Sequence, residues 1–298
     1  MKALVTGATD LIGSYVAVRL AQAGHEVVAI PASLAKASAL GAIKGISIAE
    51  ADLSTPNALL PLLEGCDALI HVALGEGGSG PEILANDTAS SVALFEAARL
   101  AGVGQVIYTS STTANGELEA LNSEERQLRP VDLFGATKAA TEMFARAYAF
   151  SGGPRMHIVR PGYIFGKPVV EGTDAEVDQR FVQICRSIKQ GLPIRQIKHD
   201  GTQFIHARDV AEVYLALLAH PENFSIHYAL ANEWVSWAKI AEMAMEEAGK
   251  RVAVKLEDCS YSPVPYLFDV RKLEVDFELS FVNEQELREH IRWALSLA

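Results

Sequence analysis

The residues with the most definite chemical implication are the two glycines of "TGATDLIG", Gly7 and Gly13, which follow the apolar run "KALV" and open a helical pattern. A strand that turns straight into a helix leaves free backbone N–H groups at the helix start. The helix dipole adds partial positive charge there, so the turn suits a pyrophosphate. Gly7 lets the backbone approach such a ligand, and Gly13 permits close helix–strand packing. Asp10 stands where a third glycine would complete the spacing. Its carboxylate opposes a phosphate at short range unless it turns to solvent or caps the helix. Asp tolerates the left-handed backbone region better than most residues, so the turn itself survives. Cys66, Cys185 and Cys259 are few, far apart and odd in number. They announce neither a disulfide framework nor a zinc site, and no metal centre is expected. His71 and His206 read as strand histidines lining a trough rather than as proton shuttles.

The elements that must position these residues follow from periodicity. Short β-like runs, "KALVT", "EVVAI", "ISIAE", "ALIHVA", "QVIYTSS" and "MHIVR", alternate with helical segments such as "IGSYVAVRLAQAG". This alternation implies parallel strands joined by right-handed crossovers, with helices on both faces. The expected fold class is therefore α/β, a doubly wound parallel sheet. Several helices end at glycines, Gly24 and Gly102 among them. After "RPGYIFGKP" amphipathic helices dominate, which implies a smaller, mostly helical C-terminal portion packed on the sheet, with a cleft at its carboxyl edge. The boundaries expected are 1–165 for the sheet domain, with part of 200–225 returning to it, and 166–298 for the smaller, substrate-binding portion.

With 298 residues, 49% of them apolar and 21% charged, the chain has ample material for a core. Its formal charge of −11 and pI near 5.2 oppose binding to nucleic acid or an anionic membrane, and point to a small-molecule partner. No apolar run reaches the roughly 18 residues of a membrane span, and Met1 leads directly into a strand pattern. A soluble cytoplasmic protein is expected.

These motifs, taken in order, resemble the extended short-chain dehydrogenase/reductase superfamily, the NAD-dependent epimerase/dehydratase family, over essentially the whole chain. "TGATDLIG" is similar to its TGxxGxxG turn, "ADLS" to the adenine-contacting segment, "DALIHVAL" to its fourth strand, and "YTSS" to its fifth. "FGATK" resembles its catalytic helix and "VRPGYIFG" its sixth strand and substrate loop. The resemblance implies a Rossmann sheet that binds NAD or NADP through Gly7, Thr9, Asp10, Leu11, Ile12, Gly13, Asp52, Leu53, Val72, Ala73, Lys138 and Pro161. Cofactor preference stays open. Pro31 and Ala32 hold the positions that usually read the adenosine ribose, and Lys36 could reach a 2′-phosphate.

The resemblance also implies a catalytic tyrosine, a lysine one turn later that lowers its pKa, and a hydroxyl residue that orients substrate oxygen. Ser111 and Lys138 match the last two. Phe134 occupies the tyrosine position, and a phenyl ring has no proton to exchange. Tyr163, in the loop after the sixth strand, offers a substitute phenol. The Tyr of the fifth-strand pair is Asn115 before Gly116, and the arginine that typically holds a nucleotide diphosphate is replaced by Thr202 or Gln203. Arg160 and Arg208 read as structurally paired. Two functions follow as expectations. One is an NAD(P)-dependent oxidoreductase, epimerase or dehydratase on a small polar, sugar-like or hydroxy/keto substrate with altered acid/base groups. The other is a catalytically lapsed dinucleotide-binding or regulatory protein. Relatives often pair through two long helices, here about Gly80–Ala101 and Phe134–Phe150, so a homodimer is expected from resemblance.

Overall fold

The computed structural model describes residues 1–32, 34, 37–53, 55–172 and 177–298. Seven parallel strands form one sheet: β1 (Lys2–Thr6), β2 (Glu26–Ile30), β3 (Ile46–Ile48), β4 (Ala68–His71), β5 (Gln105–Thr109), β6 (Arg155–Pro161) and β7 (Phe224–Ala229). Their order is β7-β6-β5-β4-β1-β2-β3, with Leu4 paired to Val28 on one side and Leu69 on the other. The order reverses between β1 and β4. In doubly wound sheets that reversal opens a crevice at the carboxyl ends, where ligands bind.

Successive residues of each strand feed opposite faces, as the pleat requires. Ala3, Val5, Ile70, Ile107 and Val159 pack under α1 (Leu11–Gln22) and α6 (Ala207–Leu217). Leu4, Leu69, Val106 and Ile158 pack under α2 (Pro56–Leu63), α3 (Ser90–Leu100) and α4 (Leu133–Phe150). Both faces are covered, which is why strands such as "QVIYT" are buried at every position.

A third apolar cluster lies in the C-terminal part, where α5 (Gln179–Gln190), α7 (Trp237–Ala248) and α9 (Glu284–Leu297) meet through Phe181, Ile188, Trp237, Ile240, Leu287 and Ile291. The helices begin and end where their sequences say. Asp178 accepts from Arg180 N at the start of α5, and Gly191 closes it with φ +73. Ser236 caps α7 and Gly249 ends it. The short α8 (Arg271–Phe277) lies against β7.

The seventh strand, "FSIHYA", has no counterpart among the strands expected from periodicity, and the segment that returns to the sheet runs on to Ala229, past residue 225. Ser225 and His227 disguise it by interrupting the apolar run; both are buried in a polar cluster beside the sheet. Among the described residues no helix is long and apolar enough to cross a membrane.

Candidate functional site

A cleft of about 1040 Å³ opens at the carboxyl edge of the sheet, where the strand order reverses. It runs from Gly7 and Asp10 past Asp52, Leu53, Val72 and Ala73 to Ser111, Phe134, Lys138, Pro161 and Tyr163. Leu11, Ile12, Pro31 and Ala32 also line it. The expected residues therefore meet at one site, except that two of the glycine-turn residues stand behind its wall. Thr9 is buried, and its hydroxyl accepts a hydrogen bond from Ala32 N at 3.3 Å, tying the turn to the end of β2. Gly13 packs so closely on the turn that a Cβ there would fall 2.0 Å from the Gly7 carbonyl oxygen. Lys36 lies outside the described residues.

The left-handed conformation belongs to Gly7, at φ +62, where a Cβ would also meet Ala73 N at 2.8 Å. Asp10 is extended instead, with φ −73 and ψ 166, and it needs no special tolerance of the left-handed region. Its side chain makes no capping hydrogen bond to α1. Asp10 Oδ2 leans back over the turn, 2.7 Å from where a Gly7 Cβ would stand. The backbone of a phosphate cradle is thus intact, with a carboxylate at its rim.

Below the turn, Thr6 Oγ1 accepts from Val72 N and Ala73 N, both at 3.2 Å, and donates to His71 Nδ1 at 2.8 Å. His71 Nε2 then donates to Ser91 Oγ at 2.9 Å, which donates to the Asp87 carbonyl at 2.7 Å. Burial, seconded by the Lys138 ammonium, pushes His71 down to about 3. It is a neutral bridge that holds β1, β4 and α3 together, a strand histidine as expected but buried behind the cleft wall rather than lining the trough.

The catalytic-helix wall is built by α4, whose residues at i, i+4 and i+8 share a face: Phe134, Lys138 and Glu142. The Phe134 ring occupies the cleft, and Lys138 Nζ lies 5.5 Å from its centroid and 5.3 Å from that of Tyr108. Lys138 is 3% exposed and its Nζ donates to Asp87 Oδ1 at 3.0 Å. Burial pulls this ammonium below its ordinary pKa against the opposing pull of Asp87. Ser111, two residues past the end of β5, accepts from Thr113 N at 3.2 Å and Thr113 Oγ1 at 2.9 Å. With both bonds accepted, its own O–H is left to donate into the cleft.

On the substrate side, Tyr163 lines the wall but its ring packs edge-on against Phe204 and Trp237, at 4.9 and 5.4 Å. Its hydroxyl is buried without a hydrogen-bond partner among the described residues. Burial first, then the Asp178 carboxylate, raises this phenol above its ordinary pKa. Gln203 is tied to structure, accepting from Phe268 N and donating to the carbonyls of Ala231 and Phe268. Asn115 is buried and donates to Tyr228 Oη at 2.7 Å. Arg208 pairs with Asp209 and Glu286, and His206 caps α6 by accepting from Arg208 N.

Three residues that matter here were not expected from sequence. Asp87, in a π-helical turn over Leu84–Ala89, is the partner of Lys138. Glu142 takes a bidentate pair from Arg160, at 2.9 and 2.7 Å, and a hydrogen bond from Ser110, all fully buried. Glu142 had a signal, since an arginine inside a buried strand needs an acid and Glu142 continues the Phe134–Lys138 spacing. Asp178, which borders the cleft beside Tyr163, had only its place before an amphipathic helix.

A family model described as the NAD dependent epimerase/dehydratase family matches residues 3–231. The chain belongs to that family. Among curated relatives, a dTDP-4-dehydro-6-deoxy-D-allose reductase of Streptomyces sp is 27% identical over 97% of this chain and 95% of its own. A UDP-glucose 4-epimerase of Streptomyces lividans is 26% identical over 78% and 76%. Among solved structures, UDP-glucuronic acid 4-epimerase from Bacillus cereus in complex with NAD aligns over 100% of this chain and 99% of its own. Its TM-score is 0.84 at 21% identity, a likeness of fold. The nicotinamide dinucleotide anticipated from the glycine turn is this family's cofactor. Asp10, Asp52, Glu76 and Asp178 line the cleft, against Lys138 as the cation among the described lining residues.

Proposed function

We propose that this protein is an NAD-dependent oxidoreductase of the epimerase/dehydratase type whose substrate is a small, polar, uncharged hydroxy or carbonyl compound. The observation that carries the reading is the single cleft joining the N-terminus of α1 to Ser111, Phe134 and Lys138. The Gly7 turn and the start of α1 would face the pyrophosphate, Asp52 and Leu53 the adenosine end, and Val72, Ala73, Lys138 and Pro161 the nicotinamide end. When bound, the dinucleotide supplies hydride acceptance or delivery.

Proton handling falls to the chain's own groups, since Phe134 has none to give. Thr113 donates to Ser111, so the Ser111 hydroxyl is left to donate to a substrate oxygen in the cleft. Lys138, with its ammonium destabilised by burial, favours developing negative charge nearby. Tyr163 borders the cleft, but burial and the neighbouring Asp178 carboxylate raise its phenol and make it a poor substitute acid or base. What argues against the nucleotide-diphosphate sugars of the relatives is the substrate end, where Asp178 borders the cleft beside Tyr163 and no arginine stands among the described lining residues to clamp a diphosphate.

The test is calorimetric titration with NAD⁺ and NADH, followed by turnover assays on neutral hydroxy-ketones and sugars beside UDP- and dTDP-sugars. Expected are saturable dinucleotide binding and turnover confined to the neutral compounds, lost in Ser111→Ala. Failure of every nicotinamide dinucleotide to bind overturns the reading. Phe134 and the Asp10 carboxylate favour a second reading, a dinucleotide-binding protein without catalysis. Binding without turnover, and activity gained only in Phe134→Tyr, would select it. A homodimer through α3 and α4 is supported by Met143, Phe144 and Phe150, large apolar side chains left about half or more exposed.

A further inference from the structure

Outside the cleft, the fold gathers histidines that no sequence spacing brings together. His227 in β7, His220 in the connection after α6, and Asp276 in α8 place one ligand atom each within 4.8 Å of one another. His220 and His227 are buried, and Asp276 is 21% exposed, so the cluster has a side open to solvent. None of these three lines the cleft.

His227 Nε2 meets Asp276 Oδ2 at 2.9 Å. His220 Nε2 is buried with no hydrogen bond, and Glu222 Oε2 stands 3.5 Å from it out of hydrogen-bonding alignment. A buried polar nitrogen left unpaired is costly, and it calls for a ligand. The other faces of the rings are held from behind. Ser225, two residues before His227 and on the same strand face, lies 3.5 Å from His227 Nδ1 and 2.8 Å from His157 Nδ1. Arg155 grips the His220 carbonyl at 2.9 Å. The Lys272 ammonium, which could compete for the acid, is committed to the Ile226 carbonyl at 3.0 Å.

We propose that His220, His227 and Asp276 form a binding site for a divalent transition cation, zinc in the first instance, with water as fourth ligand. Two imidazoles and a carboxylate suit zinc, cobalt or nickel, whereas magnesium and calcium require mostly oxygen donors. Three atoms no more than 4.8 Å apart surround a centre that each reaches at 2.0–2.1 Å by moving about 0.7 Å or less. Ser225 is a positioning residue, fixing the His227 ring through the nitrogen that does not face the cation. The ion would join α8 and the α6–β7 connection to the edge strand of the sheet.

The experiment uses untagged full-length protein, stripped with a chelator and titrated with zinc chloride by calorimetry and thermal denaturation, with no dinucleotide present. One zinc per chain, a raised Tm and no response to magnesium are expected. Cobalt should give the intense visible absorption of tetrahedral ligation. Asp276→Asn and His220→Gln should each weaken zinc by more than the about 10–100-fold expected for Ser225→Ala. Asp276→Asn keeps the side chain's shape at a part-exposed position, so its metal-free Tm reports whether it folds. Absence of saturable zinc binding overturns the proposal, as does binding that survives His220→Gln with Asp276→Asn. The cobalt spectrum of the unmodified protein decides independently of any variant.

Discussion

Helix α4 anchors two buried ion pairs one turn apart, and they differ in completeness. Arg160 and Glu142 satisfy each other through two bonds, and Ser110 adds a third. Lys138 and Asp87 share a single 3.0 Å bond, and Asp87 Oδ2 has no hydrogen-bond partner among the described residues. Lys138 borders the cleft, whereas Arg160 and Glu142 do not. A fully connected network rigidifies the wall, and a partly connected one beside a ligand site keeps bonding capacity in reserve. The helix thus separates holding the fold from lining the cleft by four residues.

The contrast can be broken by substitution. Glu142→Gln should have the largest effect, a loss of about 3–5 kcal/mol in urea unfolding, because Arg160 cannot shed its charge. Dinucleotide affinity of the folded fraction should stay within about twofold of the parent. Asp87→Asn should cost less, about 1–3 kcal/mol, since Lys138 can neutralise itself by losing a proton, its pKa already being lowered. This variant, unlike the first, should alter dinucleotide binding by calorimetry. Equal losses from both would erase the distinction.

Acid should weaken the side of the wall that carries His71. Its pKa is about 3 when folded and 6.5 when exposed, so the unfolded chain takes up the proton first. Stability is then complete above pH 6.5 and falls as pH drops from there toward 3, by about 1.4 kcal/mol per unit for this residue. Unfolding midpoints at pH 7.5 and 5 measure it, and His71→Gln should remove about one proton from the slope. The smallest effect is expected at the cleft's other end. Asp10→Gly should cost only a few tenths of a kcal/mol, since glycine serves almost as well at the start of a helix. It should tighten the dinucleotide about tenfold by removing a charge at the phosphate rim.

What was legible in the sequence was periodic or conformational. Six of the seven sheet strands, the glycine turn and the cleft's principal residues follow from alternation, from Gly7 and from motif order. What escaped depended on partners distant in sequence. Lys138 is legible from its motif, but its buried partner Asp87, fifty-one residues earlier, is not. The aromatic packing of the Tyr163 ring on Phe204 and Trp237 is likewise invisible in its spacing. β7 escaped because its histidine and serine face other buried polar groups rather than an apolar layer.

The wide helical turn at Leu84–Ala89 also sets a phase. One extra residue in a helix rotates everything that follows by about 100°. Deleting one residue there would restore an even helix but swing Asp87 away from Lys138 or α3 off its sheet contacts. The turn therefore acts as a spacer, allowing one continuous rod to keep an apolar face on the sheet and a buried acid against Lys138.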